Sequence, residues 1–268
     1  MTDTAERSDD AFARTDDGVS VAYQCRGSAA GRPLVLLAGQ ANNHHWWDGV
    51  REDFHGTART ITMDYRGTGA SDAPHEGYST RRFAEDVVSV LDSLGIERAD
   101  VYGTSMGGRV AQWVAAAHPD RVRRLVLGCT SPGGPLAVER DTSVRRALAA
   151  PDPAAVRRTL TELMYSPGWI AGHPGPYRTL GDPDMPPHAR RGHLVASNRH
   201  DAWDALPSIG APTLILHGDQ DRLTPPANVP LLTARIPDAR SHLLPGARHA
   251  YFEEHREAAG ALVREFLG

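Results

Sequence analysis

The stretch VYGTSMGG, residues 101–108, decides the fold of this chain. It has the pattern G-x-S-x-G, and it lies between an apolar run and a helical pattern over residues 109–118. A strand, a sharp turn and a helix in this order raise a serine hydroxyl above the edge of a sheet, which is called a nucleophile elbow. Glycines two positions before and after the serine fit, because such a turn leaves little room for side chains. We therefore predict that Ser105 is a nucleophile.

Apolar strand patterns and helical patterns alternate through most of the 268 residues. The predicted strands cover residues 11–15, 19–25, 33–38, 60–63, 99–102, 124–129, 212–217 and 240–244, and helices are predicted at 80–94, 109–118, 229–236 and 255–267. The first two strands are predicted to form a hairpin. Strands that alternate with helices at this spacing indicate an α/β fold with a doubly wound, mostly parallel sheet.

The alternation stops after Thr130. Residues 131–207 contain helical patterns at 138–149, 153–164 and 187–198, with a stretch rich in glycine and proline at 166–187. A structureless segment of this length inside a domain is uncommon, which favours an inserted unit. We predict one core formed by residues 1–130 and 209–268, interrupted by a helical cap, or lid, of residues 131–208.

A serine hydroxyl needs a base that takes its proton and an acid that orients the base. Two loops after Ser105 follow predicted strands, at the sheet edge where doubly wound folds place their sites. The first contains Asp219 and Asp221; we favour Asp221, because Asp219 is nearer the strand and can bond its own turn. The second contains His249, which we favour as base over His217, because His217 ends a buried strand.

An oxyanion requires two preorganised N–H donors. The residue after the nucleophile, Met106, is expected to supply one, and Gln40, after the first parallel strand, the other. The substrate pocket is expected to be lined by residues of that loop and of the cap: Gly39, Trp47, Met164, Tyr165 and Trp169. Each aromatic side chain among them can equally be part of the core.

Composition excludes several classes of function. The net charge of −4 argues against nucleic acid as a partner. The chain contains no lysine, so Schiff-base chemistry and a Walker-type phosphate loop are excluded. Two adjacent histidines, His44 and His45, are expected to diverge, and no H-x-x-x-H spacing indicates a metal site. We expect neither a metal nor a cofactor.

The amino-terminal residues 1–10 are polar and acidic, unlike a signal peptide, and no apolar run is long enough to span a bilayer. We expect a cytoplasmic protein that acts on a small molecule, without a membrane partner, as a monomer or simple homodimer. Cys25 and Cys129 each lie in a predicted strand and are expected to be reduced.

Five segments together resemble the α/β-hydrolase superfamily: residues 38–40, 64–71, 103–108, 218–221 and 246–249. The likeness covers nearly the whole chain and is greatest to the single-domain esterases, 3-oxoadipate enol-lactonases and cofactor-free haloperoxidases (perhydrolases). It implies an eight-stranded sheet, a catalytic triad of Ser105, Asp221 and His249, and an oxyanion hole formed by Gln40 and Met106. The family usually has His-Gly where this chain has residues 38 and 39, Ala-Gly, and that histidine helps to shape the oxyanion loop.

The resemblance implies a serine hydrolase that cleaves a carboxylic ester or lactone of a small, largely apolar metabolite through an acyl-enzyme on Ser105. A serine at the elbow, rather than an aspartate, argues against dehalogenase and epoxide hydrolase chemistry. The meta-cleavage C–C hydrolases carry a longer glycine-rich oxyanion loop than residues 40–43 provide. The alternatives are a non-ester reaction on the same fold (C–C hydrolase, lyase or perhydrolase) and a ligand receptor with little turnover.

Overall fold

The computed structural model describes residues 10–268, so the polar amino-terminal residues noted above lie almost entirely outside the described part. Within them, eight strands form one sheet: β1 (Ala11–Arg14), β2 (Ser20–Arg26), β3 (Arg32–Leu37), β4 (Ala58–Met63), β5 (Ala99–Thr104), β6 (Val122–Gly128), β7 (Thr213–Gly218) and β8 (Ala239–Leu244). Their order in the sheet is β1-β2-β4-β3-β5-β6-β7-β8. β2 is antiparallel to β1 and β4, and all other neighbouring strands are parallel. The predicted fold class is confirmed.

The helices of the described part are α1 (Thr80–Ser93), α2 (Met106–Ala117), α3 (Thr142–Leu148), α4 (Pro153–Met164), α5 (Pro167–Gly172), α6 (Pro187–Asn198), α7 (Asn228–Arg235), α8 (Tyr251–Glu254) and α9 (Arg256–Leu267). Short 3₁₀ turns lie at His44–Trp47, Arg51–Phe54, Pro119–Arg121 and Leu206–Ser208. β5 and β7 are buried along their whole length, as expected for parallel strands with both faces covered. No helix in residues 10–268 is long and apolar enough to cross a membrane.

Residues 131–208, which we call the cap, lie between β6 and β7 and contain α3 to α6. α4 and α6 have the predicted bounds, whereas α3 is shorter than the predicted helix. α5 lies in the stretch where no helix was predicted. It begins with Pro167, and the Ser166 hydroxyl accepts a hydrogen bond from Trp169 N–H, which caps the turn.

The strand order explains where a ligand can bind. The chain passes from β3 outward to β4 and then returns to the opposite side of β3 to form β5. The connections after β3 and β5 therefore leave the sheet in opposite directions, and a crevice opens between them at the carboxyl ends of the strands. Leu37 at the end of β3 pairs with Gly103 in β5, so the loops that follow them begin side by side.

A buried ion pair holds the loop after β4 against α1. Arg66 is fully buried, and its Nε and Nη2 donate to the two carboxylate oxygens of Asp86 at 2.8 and 2.7 Å. Its Nη1 donates to Asp17 at 2.8 Å. Burial opposes the charged form, but the two carboxylates prevail and raise the pKa of Arg66. The glycine-rich loop around Arg66 is thus a structural turn.

Asp86→Asn is expected to destabilise the protein by about 3–5 kcal/mol, because it leaves the buried Arg66 charge poorly compensated. Asp92→Asn is the matched control, since Asp92 lies on the same helix, is 62% exposed and pairs with Arg121. The control is expected to change the free energy of unfolding by about 0–1 kcal/mol. Urea denaturation followed by tryptophan fluorescence measures both. Equal effects of the two substitutions would show that the buried pair has no special role.

Candidate active site

Ser105 joins β5 to α2 in a backbone conformation that residues with side chains rarely adopt, with φ 57° and ψ −122°. Two hydrogen bonds, one to β6 and one to the loop that follows β6, hold Ser105 in this conformation. Ser105 N–H donates to the Gly128 carbonyl at 2.9 Å, and the Thr130 hydroxyl donates to the Ser105 carbonyl at 2.8 Å. Such strain persists only where the surrounding structure enforces it, and it is concentrated at functional sites.

The glycines around Ser105 are required by close backbone contacts. A Cβ atom at Gly103 would lie 2.2 Å from the Gly107 carbonyl oxygen, and one at Gly107 would lie 2.1 Å from the Leu37 carbonyl oxygen. Both distances are far below van der Waals contact. The G-x-S-x-G spacing is therefore what allows α2 to begin directly beside β3 and β5.

The loops after β7 and β8 bring an acid and a base together. Asp221 Oδ2 lies 2.7 Å from His249 Nδ1, and both side chains are buried. Asp221 Oδ1 accepts from the N–H groups of Leu223 and Thr224 at 2.8 and 2.9 Å, which fixes the carboxylate. Asp219 instead accepts from Gly246 N–H at 2.8 Å, so it bonds the turn. Of the two aspartates considered, Asp221 is thus the one that contacts His249.

A second histidine lies against the same carboxylate. His217 Nε2 is 2.8 Å from the Thr224 carbonyl and 3.3 Å from Asp221 Oδ2. Burial alone would raise the pKa of Asp221, but His249 and His217 together hold that pKa well below its usual range. The acid is therefore ionised near neutral pH. Sequence analysis placed His217 at the end of a buried strand and did not anticipate its contact with Asp221.

His249 Nε2 is the nitrogen that a general base would use. It has no hydrogen-bond partner among the described residues, and His249 lines the same cavity as Ser105. Because Nδ1 faces a carboxylate, the neutral ring carries its proton on Nδ1 and presents the Nε2 lone pair to the cavity.

The two predicted oxyanion donors lie where the crevice opens. Met106 is the first residue of α2, so its N–H has no partner within the helix, and Gln40 lies in the loop after β3. Within residues 10–268, neither backbone N–H donates a hydrogen bond. Gln40 and Ser105 both line the cavity. The positive end of α2 adds to the attraction for an anion at this place.

The loop that contains Gln40 is held by the cap. Ala41 has φ 57°, and its N–H donates to His193 Nδ1 at 3.2 Å, while its carbonyl accepts from Asp182 N–H at 2.7 Å. His193 Nε2 in turn lies 2.9 Å from the Arg66 carbonyl. A histidine from α6 therefore bonds the loop in a chain that lacks the usual histidine at position 38. Sequence reasoning had no signal for this, because 152 positions separate the two partners.

The cap also holds the loop that contains His249. The N–H groups of His249 and Ala250 donate to the carbonyls of Leu163 and Met164, at the end of α4, at 3.4 and 2.9 Å. Both loops that flank the crevice are thus bonded to cap helices.

A cavity of about 760 Å³ lies between the sheet edge and the cap. Its walls include Gln40, Trp46, Ser105, Met164 and His249, together with apolar side chains of α4 and α6. Of the predicted pocket residues, Met164 lines this cavity.

The other four predicted pocket residues lie outside the lining of this cavity. Trp47 is fully buried and packs on Tyr102 and Phe252, because the 3₁₀ turn directs its neighbour Trp46 toward the cavity. Tyr165 is fully buried, with its hydroxyl bonded to Thr179 and Glu253. Trp169 stacks on Tyr165 and His173, and Gly39 is covered by the Trp46 ring.

The expectation that the side chains of His44 and His45 diverge is wrong, because both residues lie in the same 3₁₀ turn. Their ring centroids are 4.1 Å apart, so the two rings do not diverge. His44 Nδ1 lies 2.8 Å from Asp64, and His45 Nδ1 lies 2.7 Å from Asp48. Each has its own carboxylate partner, which makes both of them structural.

Comparison with known proteins places this geometry in a family. The sequence model of a protein family described as having the alpha/beta hydrolase fold matches residues 32–256. The chain belongs to the alpha/beta hydrolase family. It is 35% identical over 224 residues to 2-hydroxymuconate semialdehyde hydrolase from Pseudomonas putida, covering 79% of this chain and 77% of that protein. The predicted superfamily is thereby confirmed, as is the expected resemblance to a group that includes esterases, enol-lactonases and haloperoxidases.

Two solved structures show the likeness over the whole fold. A hydrolase from Pseudomonas aeruginosa PA01 has a TM-score of 0.84 and 31% identity, covering 98% of this chain and 99% of that one. Est816, described as an N-acyl homoserine lactone degrading enzyme, has a TM-score of 0.82 and 29% identity, covering 96% of this chain and 100% of that one.

His193 is expected to make stability depend on pH. Burial lowers the pKa of His193 to about 4, because the charged form of the ring loses its hydration there. The unfolded chain takes up this proton near pH 6.5 and the folded protein only near pH 4. The free energy of unfolding should therefore fall as pH decreases through this window, by up to about 3 kcal/mol.

His193→Gln keeps an acceptor for Ala41 and a donor for the Arg66 carbonyl but does not titrate. Urea denaturation at about pH 7.5 and about pH 5 should show a smaller loss of stability for this variant than for the wild type. The difference isolates His193 from other buried histidines such as His200, whose pKa is also lowered by burial. The same loss in both proteins would contradict the assignment.

Proposed function

We propose that this protein is a serine hydrolase that cleaves a carboxylic ester or lactone through an acyl-enzyme on Ser105. The observation that carries the proposal is the 2.7 Å contact between Asp221 and His249 Nδ1, which leaves His249 Nε2 unpaired at the cavity that Ser105 lines. An ionised acid, an oriented base and a strained serine are the groups that acyl transfer requires.

Acylation begins when the substrate carbonyl lies between Ser105 and the two oxyanion donors. His249 Nε2 takes the hydroxyl proton as Ser105 Oγ attacks the carbonyl carbon. The N–H groups of Gln40 and Met106 hold the developing oxyanion, and Asp221 stabilises the imidazolium. The tetrahedral intermediate collapses, the alcohol leaves with the proton from His249, and the acyl group stays on Ser105.

Water then hydrolyses the acyl-enzyme, with water as the nucleophile and Ser105 as the leaving group. His249 removes a proton from water, which attacks the acyl carbon, and the second oxyanion occupies the same two N–H groups. The carboxylic acid is released when the proton returns to Ser105. For a lactone, the alcohol stays in the same molecule as the acyl group, so hydrolysis gives a single hydroxy acid.

A second candidate reaction is hydrolysis of a carbon–carbon bond on the same residues. The Pseudomonas putida relative is named as a hydrolase of a semialdehyde, not of an ester. The short loop at residues 40–43 still favours the ester reaction. Turnover of 2-hydroxymuconate semialdehyde, without turnover of simple esters and lactones, would establish this second candidate.

The nucleophile is tested by incubating the protein with a fluorophosphonate and mapping the adduct by mass spectrometry. We expect one adduct on Ser105, because a hydroxyl activated by His249 attacks phosphorus as it attacks a carbonyl. Ser105→Ala should give no adduct and retain the fold. A folded wild-type sample without an adduct would refute the proposed function.

The acid is tested by Asp221→Asn. The amide no longer holds the Nδ1–H tautomer of His249, so kcat on a reactive ester should fall by about 10⁴-fold, as for the corresponding change in serine proteases. Asp219→Asn is the matched control, since Asp219 bonds the turn through Gly246 N–H, and it should keep most of the activity. A large loss for Asp219→Asn alone would reverse the assignment of the two aspartates.

A further inference from the structure

Arginines are the charged side chains in the wall of the cavity. Aspartate and glutamate are absent from the described lining. Four of the lining residues are arginines: Arg109, Arg140, Arg190 and Arg191. The chain as a whole has a net charge of −4, so this positive cavity differs from the average of the molecule. A cavity lined by charges of one sign raises the local concentration of ligands of the opposite sign.

Arg109 lies one helical turn after Ser105, and neutral groups fix its guanidinium. Its Nη1 donates to the carbonyl and hydroxyl of Ser197 in the cap at 2.6 and 3.0 Å. Its Nη2 donates to the Ser131 hydroxyl at 3.0 Å. Guanidinium has five N–H donors, so two of them, on Nε and Nη2, remain for a ligand. No carboxylate in the described part of the chain forms an ion pair with Arg109.

Arg140 has even fewer partners. Among residues 10–268, its guanidinium makes neither a hydrogen bond nor an ion pair, and the neighbouring Glu139 lies 3.7 Å from Arg145 instead. Burial, together with the charge of Arg140, lowers the pKa of Arg109 to about 10, and burial also lowers the pKa of Arg140. The protein thus keeps two cations in an unfavourable environment beside its candidate nucleophile.

Arg66 shows how this chain treats a buried arginine that has a structural role. Two carboxylates, Asp86 and Asp17, contact it, and they raise its pKa. Arg109 and Arg140, which are half-buried, form no such contact with a carboxylate of the described residues, and the more distant charge of Glu139 does not prevent burial from lowering the pKa of either. The contrast indicates that their counter-charge arrives with the ligand.

We propose that the substrate is an anionic acyl compound whose second functional group, a carboxylate, binds Arg109 and Arg140 while its reacting carbonyl lies at Ser105. This inference rests on the proposed function, because it places the reacting group at Ser105. The apolar side chains of α4 and α6 contact the chain between the two ends. Arg190 and Arg191, which are exposed on α6, attract the anion toward the cavity.

Binding is tested without turnover, in the Ser105→Ala protein, by isothermal titration with monomethyl adipate and dimethyl adipate. The two esters share one acyl chain and differ by one negative charge. We expect the monoanion to bind about 10- to 100-fold more tightly, the range for hydrogen bonds to a charged group. Butyl phosphate separates a carboxylate site from a general anion site. Equal affinity for the two esters, or a preference for the phosphate, would overturn the proposal.

The positions are tested by adding Arg109→Gln or Arg140→Gln to the same protein. Each should remove most of the preference for the monoanion. Arg109→Lys should restore part of it, because lysine keeps the charge but not the paired donors. Arg158→Gln is the matched control, since Arg158 is 69% exposed and outside the cavity, and the preference should persist. Arg109→Gln loses the hydrogen bonds to Ser197 and can fail to fold for that reason. In that case Arg140→Gln still tests the proposal.

The failure of this inference differs from the failure of the proposed function. A fluorophosphonate adduct on Ser105, with no charge preference in the titration, leaves a hydrolase of neutral substrates. A charge preference that depends on Arg109, with no adduct, leaves an anion-binding protein without the proposed reaction. Unchanged preference in both Arg109→Gln and Arg140→Gln would refute the assignment to these residues.

Discussion

The close approach of α2 to β3 is the constraint on which the rest of the site depends. Gly107 lies so near the Leu37 carbonyl that a single added carbon would overlap it. This contact fixes where the helix begins, so Ser105 and Met106 lie at the crevice between β3 and β5. Serine accepts a left-handed backbone here because bonds to β6 and its following loop hold it on the other side.

The cap is part of the site as well as a cover over it. Its helices α6 and α4 hydrogen-bond the two loops that flank the crevice, one through His193 and the other through the carbonyls of Leu163 and Met164. Arg109 adds a third link, from α2 to the carbonyl of Ser197. A movement of the cap would therefore change the oxyanion loop and the histidine loop together.

Charged side chains that are buried or half-buried have three kinds of surroundings in this molecule. Arg66 is paired with carboxylates and stabilises the loop after β4. Asp221 is held ionised by two histidines and two backbone N–H groups, as an acid that must keep its charge requires. Within residues 10–268, Arg109 and Arg140 form no ion pair with a carboxylate, and burial lowers the pKa of both although the more distant charge of Glu139 opposes this. The difference separates charges that stabilise the fold from charges that are available to a ligand.

The sequence alone determined the fold class, the elbow at Ser105 and the loops that contain Asp221 and His249. Those features depend on local patterns, namely apolar strands, glycine spacing and the order of polar residues at strand ends. The tertiary structure alone decided which side chains face the cavity. Trp46 rather than Trp47 lines it because of a short 3₁₀ turn, and His193 and Arg109 take their places only through contacts between distant segments. Side-chain direction in turns, and packing between residues far apart in the chain, leave no periodic signal in a single sequence.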